Sequence, residues 1–168
     1  RLSGFFRGLT VVLFLLALFV FFVVGLGSSK ENLRDVVIGM QNGFNEEDAG
    51  DVLAHCTPDF MESTYQLDQA TFRGALFRIF LGQRDRVDKS FKWRVFVDTE
   101  EILLDPEPDE NTKLPVRVTA PVQFIRAKDK TMTPVWVLEV SGEAILCEDG
   151  KWRFRRARFK TLSGKRPF

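Results

Sequence analysis

The chain has 168 residues, 24 of them basic and 23 acidic, with one histidine and two cysteines. The near-neutral total is too small to mean nucleic-acid binding by charge alone, and a single histidine with two cysteines does not supply a His/Cys metal cluster. About 140 residues follow the apolar N-terminal stretch, the size of one ordinary domain.

Residues 9–27 read LTVVLFLLALFVFFVVGLG, with no charged side chain. A helix rising about 1.5 Å per residue crosses roughly the 30 Å apolar core of a bilayer over this length, and in lipid a helix satisfies its own backbone. The rival reading is a signal peptide, whose apolar core usually has about 7–15 residues before a small-x-small site. Gly25, Leu26 and Gly27 match such a site, but the apolar run is longer, so a retained single span is expected. Arg1 and Arg7 precede it, whereas Lys30 on the far side is balanced by Glu31. That asymmetry predicts an inner-membrane protein with a cytoplasmic N-terminus and an extracytoplasmic C-terminal domain. The span holds no ionisable group, which argues against a proton path. Its rings, Phe14, Phe19, Phe21 and Phe22, are packing surfaces toward lipid or neighbouring helices. The predicted order is a cytoplasmic flank (1–8), the span (9–27), a short linker (28–31), one domain (32–162) and a basic tail (163–168).

Leu33, Val36, Val37, Met40 and Phe44 recur at helical spacing and predict a helix over 31–44, close enough to the span to continue it. Asp48 caps a second helix through Val52, Leu53 and Cys56, which Thr57 and Pro58 stop. An extended piece reaches about Gln66. Asp68 then caps a third helix with Phe72, Leu76, Phe77 and Phe80 on one face, ended by Gly82. From Phe91 the period changes to two. Trp93, Val95 and Val97 form a strand that residues 102–104 continue or restart, and an acidic loop covers 105–111. Val116, Val118, Ala120, Val122 and Phe124 alternate next. Another strand passes through Val135, Val137 and Val140 to Cys147, and Asp149 with Gly150 marks a hairpin turn. The last strand runs from Trp152 to about Thr161. Its phase slips at Arg155 and Arg156, which predicts a bulge. Segregated helices and strands mean an α+β fold with an antiparallel sheet, one face covered by helices.

The first helix, the break and second helix around residues 44–53, the run Cys56, Thr57, Pro58, Asp59, Phe60, and the closing Gly150, Lys151, Trp152, Arg153, Phe154 resemble the nuclear transport factor 2-like superfamily. This is the cystatin-like cone shared with SnoaL-like and ketosteroid-isomerase-like proteins. The resemblance covers about residues 31–162 and implies a cone-shaped cavity between sheet and helices. Enzymatic members place a carboxylate there, in some cases with His or Tyr. The resemblance therefore makes Asp59, Tyr65, Asp98, Glu139 and His55 candidates, with Asp59, Tyr65 and Asp98 taken as the pocket set. None of them falls on a family catalytic motif. The inward strand positions are Trp, Phe, Val and Leu, which make either a filled core or an apolar pocket.

Other candidates resolve to plainer roles. His55 lacks the converging ligands a metal needs and is expected exposed or capping. The acidic loop lacks the ligand spacing and central glycine of an EF-hand and is expected to be solvated. Cys56 and Cys147 are either a disulfide or two free thiols. Residues 151–168 carry eight basic and no acidic residues, and all 23 acidic ones fall between 31 and 150. Arg153, Arg155, Arg156, Arg158 and Lys160 are thus a contact surface for an acidic neighbouring subunit or anionic headgroups, or a face balanced by the acidic body. No catalytic residue, cofactor or metal is expected, and the location removes nucleic acid as a partner. The leading expectation is a non-catalytic accessory or scaffold subunit of a larger membrane complex, for example a photosynthetic or respiratory one. The alternative is a membrane-tethered small-ligand-binding or isomerase-like domain using the cone.

Overall fold

The computed structural model describes residues 28–168. The predicted span, with Phe14, Phe19, Phe21 and Phe22, lies outside the described residues, and no described helix is long and apolar enough to cross a bilayer.

Helix α1, Ser29–Asn45, has its own start. Ser28 is extended (ψ 151°), its hydroxyl accepts the Glu31 N–H, and the Glu31 carboxyl accepts the Ser28 N–H at 3.1 Å. This capping box, with Ser28 itself outside helical geometry, makes Ser29 the first residue of α1. Asp48 caps α2, Ala49–Ala54, by accepting the Asp51 N–H at 3.0 Å. Asp68 caps α3, Gln69–Gly82, through the Thr71 N–H at 2.8 Å. Leu76 and Phe80 of α3 are buried, whereas Phe77, read as part of the same face, is half exposed.

The second helix ends at Ala54, before the Thr57 and Pro58 stop, because β1, Cys56–Glu62, already includes both residues. Pro58 is tolerated there because its stretch of β1, between Cys56 and Met61, is where the ladder to the last strand slips register. The remaining strands are β2 (Leu67–Asp68), β3 (Trp93–Phe96), β4 (Leu103–Asp105), β5 (Val116–Arg126), β6 (Pro134–Leu146) and β7 (Trp152–Gly164). A 3₁₀ turn over Thr99–Glu101 separates β3 from β4, so the chain restarts there. The sheet order is β2-β1-β7-β6-β5-β3, with β4 also on β5. The β5, β6 and β7 ladders are antiparallel as expected, but β1 pairs β7 in parallel. The two strands are separated by most of the domain, so no hairpin constrains their direction.

The predicted bulge is present. Phe154 faces Ala144 and Arg156 faces Glu143, which leaves Arg155 as the extra residue; a second slip leaves Leu162 unpaired. Bulges bend and twist a strand, and here they sit on the central strand that curls toward the helices. The free edge of β3 is occupied by Asn45 of α1, which accepts the Val95 N–H (2.8 Å) and donates to the Val95 carbonyl (3.0 Å). A side chain thus replaces a strand partner and closes that edge.

Two apolar clusters form. One joins Leu33, Val36, Phe60, Val116, Ala144 and Trp152; the other gathers Phe44, Phe80, Phe91, Trp93, Phe124 and Trp136. Phe44 is a hub, its ring 5.3–5.7 Å from those of Phe80, Phe91 and Phe124, separations favourable for tilted and edge contacts.

Candidate functional site: an apolar cone

Met40, Phe72, Val122 and Phe159 touch both clusters yet are only partly buried. They border a cavity of about 660 Å³. Ala120 and Val122 of β5 with Trp136, Leu138 and Val140 of β6 supply the sheet side; Met40, Phe44, Phe72 and Leu76 supply the helix side. Strand alternation explains the lining, since every second residue of β5 and β6 points inward. Of the two readings open at the sequence level, a filled core or an apolar pocket, the structure has the pocket.

Its polar groups fall into two sets. Gln41 accepts the Val97 N–H at 2.7 Å and Gln83 accepts the Trp93 indole N–H at 3.2 Å, so both are occupied in holding β3. Tyr65, Arg78 and Arg166 also line the cavity, and all three are exposed to solvent, which places them at its rim. The Arg166 guanidinium lies 5.5 Å from the centre of the Tyr65 ring, a cation–π arrangement. Among the described residues, no Asp, Glu or His lines the cavity.

The tail read over 163–168 begins inside β7, which runs to Gly164, and residues 165–168 fold back on the cone. The turn is at Gly164 (φ 74°), where a methyl group would sit 2.1 Å from the Val135 carbonyl oxygen, so only glycine fits. Phe168 then places its ring 5.7 Å from Phe124 and 6.0 Å from Trp136.

Of the pocket set, only Tyr65 reaches the cavity. Asp59 is on the outer side of β1, in a shallow depression with Met61, Ser63, Arg155 and Arg156. Asp98 caps the 3₁₀ turn by accepting the Glu100 N–H at 2.9 Å. Glu139 alternates with the inward Leu138 and Val140 and pairs in register with Lys160. Their strand phase or capping role takes all three carboxylates off the cone.

His55 follows α2, and its imidazole lies against Gly39, where a methyl group would come within 2.2 Å of Nε2. Burial lowers its pKa from 6.5, against a smaller raising effect of Asp51. A depressed imidazole pKa means that the unfolded chain takes up a proton the folded one refuses. This contribution is therefore intact above pH 6.5 and is lost as pH falls below it. Urea unfolding of the wild type is expected to lose stability between about pH 7 and 5.5 by a component absent from His55→Gln. Cys56 and Cys147 are both free thiols, and burial pushes the Cys56 pKa up to about 12.

The basic strand is not a uniform contact surface. Arg153 makes a two-pronged pair with Asp149 (2.9 and 2.6 Å), which holds that carboxyl down to about 2. Arg155 grips Glu143 through two nitrogens (3.0 and 2.6 Å). Arg156, Arg158 and Lys160 remain exposed without an ion pair among the described residues. The acidic loop is solvent-exposed, as expected, apart from the buried Pro108, and it is held by polar contacts of its own. Glu107 pairs with Lys30 of α1, and Asp109 accepts the Thr112 hydroxyl (2.7 Å) and the Asn111 N–H (3.0 Å).

One residue escaped the sequence reading. Glu62, at the end of β1, is wholly buried, and its carboxyl accepts the Thr64 N–H at 2.6 Å and the Tyr65 N–H at 2.7 Å. It fixes the turn that delivers Tyr65 to the rim. Its signal was phase: position 62 lies two residues after the inward Phe60.

No protein-family model matches the chain, and no curated protein matches it. Solved structures do. A protein of unknown function with a cystatin-like fold from Nostoc punctiforme superposes with a TM-score of 0.61 at 11% identity, over 79% of this chain and 90% of that one. The fold is the cystatin-like cone. The hexachlorocyclohexane dehydrochlorinase LinA-type3 from Novosphingobium barchaimii follows at 0.59 and 8% identity, over 82% and 88%. A ketosteroid isomerase-like protein from Erwinia carotovora atroseptica gives 0.51 at 14% identity, over 77% and 92%. At these identities the likeness concerns the cone alone. Enzymes stand among its bearers, so the fold does not carry the expectation of a non-catalytic domain, and function has to be argued from the lining.

Proposed function

We propose that this chain is a membrane-tethered small-ligand-binding protein whose cone holds an apolar molecule. The observation that carries this is the cavity itself, about 660 Å³ and lined almost wholly by aliphatic and aromatic side chains. Small-molecule sites commonly occupy about 300–1,000 Å³, with apolar walls and a few polar groups that fix orientation. Retention of an apolar ligand is what such walls do best, because water inside them has few partners. The tether is the run 9–27, with the domain on the extracytoplasmic side as the flanking arginines suggest.

This reading favours the alternative over the accessory subunit. The five-residue contact surface that motivated docking is reduced to Arg156, Arg158 and Lys160 by internal ion pairs. Gentle detergent extraction followed by native mass spectrometry is expected to show the chain carrying a small apolar molecule. Recovery only in complex with other subunits, the cavity empty, would overturn the ligand reading in favour of docking.

A further inference from the structure

Resting on the apolar-ligand reading, we infer that the ligand is an amphiphile with one anionic head, read at the rim by Arg78, Arg166 and Tyr65. Both arginines line the cavity and are exposed, and neither has an ion pair among the described residues. Arg84, Arg153 and Arg155 each hold a carboxylate, whereas Arg156 and Arg158 have no ion pair among the described residues, like the rim pair; what sets Arg78 and Arg166 apart is that they line the cavity. Arg166 is not loose: it sits over the Tyr65 ring, and the Glu62 carboxyl fixes the backbone of that turn. A guanidinium offers a planar fork of donors to a carboxylate or phosphate, and a phenol hydroxyl adds one more. Gln41 and Gln83 commit their carbonyl oxygens to the Val97 N–H and the Trp93 indole, and their amides carry no charge, so the positive charge that selects an anion comes from the two arginines.

The walls then set polarity. An anion stays at the rim while its apolar body enters the cone, where no carboxylate among the described residues opposes it. A cationic head would meet two positive charges, and a neutral alcohol would leave both unused. Arg166 and Phe168 belong to the same returning segment, so a single stretch of chain supplies part of the head contact and part of the wall.

The test is calorimetric titration of the full chain in amphipol with decanoate, decyl phosphate, 1-decanol and decylammonium. Either anion is expected to bind at least about tenfold tighter than 1-decanol, the effect of a charge-assisted hydrogen bond, and decylammonium weakest. The better anion distinguishes a free fatty acid from a phospholipid-derived head. The double variant Arg78→Gln, Arg166→Gln is expected to bring the anions to the level of 1-decanol. Arg86→Gln with Arg94→Gln, which removes the same charge elsewhere on the domain, should leave the preference intact. Equal binding of 1-decanol and the anions, or an anion preference that survives the rim double variant, would overturn the head-group assignment while the apolar site stands. Absence of saturable binding by all four would overturn both.

Discussion

Replacing Glu62 by alanine is expected to destabilise the domain by about 3 kcal/mol and to weaken ligand binding together with stability. The side chain is fully buried, and its two oxygens are the acceptors for the Thr64 and Tyr65 amides. Alanine removes the acceptor of both N–H groups of this part-buried turn, and an unsatisfied donor costs about 1–3 kcal/mol. The same turn is stitched to β7 by Thr64, whose hydroxyl donates to the Phe159 carbonyl (3.1 Å) and accepts the Phe159 N–H (2.8 Å). Loss of the Glu62 anchor is thus transmitted to Tyr65 on one side and Phe159 on the other, both of which line the cavity. Urea unfolding should show a lower midpoint with unchanged slope. Glu62→Gln, which keeps one acceptor oxygen, should fall between alanine and wild type. A midpoint unmoved by alanine would mean that the buried carboxyl does not hold the turn.

The second large effect is on binding without a loss of stability. Ala120 is buried at the centre of β5, opposite Val140, and its methyl group faces the cavity. Phenylalanine at that position places its ring in space that no protein atom occupies. Most large-for-small core substitutions cost about 1–3 kcal/mol because they displace packed neighbours. Here the ring buries apolar area against an open wall, so Ala120→Phe should be neutral or stabilising by up to about 1 kcal/mol. Ligand affinity should drop at least tenfold. A large loss of stability would show that the cone is closed around residue 120.

Much of the fold could be read from local chemistry. Asp48 and Asp68 each cap a helix through a side-chain oxygen, as their place before an apolar run predicts, and the phase slip near Arg155 is a bulge; the Ser28 cap lies in the stretch expected as a linker. The inward residues of β5 also followed from alternation. What was not legible depended on contacts far apart in sequence. The parallel pairing of β1 with β7 joins residues about a hundred positions apart. The return of Phe168 onto Trp136 depends on one glycine turn. Whether the inward Val, Leu and Phe met in a solid core or left a cavity depended on sheet curvature, which composition does not encode. At the site, chemical type alone does not say which carboxylate faces inward; strand phase does. Asp59 and Asp98 follow from the resemblance, which implies a carboxylate in the cone, whereas Glu62 is buried by its phase on β1 after the inward Phe60. Tyr65, a candidate through the same resemblance, does reach the cavity.

The central claim, that the cone is an apolar ligand site, is tested most directly by titrating the full chain in amphipol with 1-decanol at two temperatures, alongside Ala120→Phe. Saturable one-site binding with a negative heat-capacity change, weakened at least tenfold by the substitution, is the predicted result. Non-saturating uptake that is the same in both proteins would contradict it.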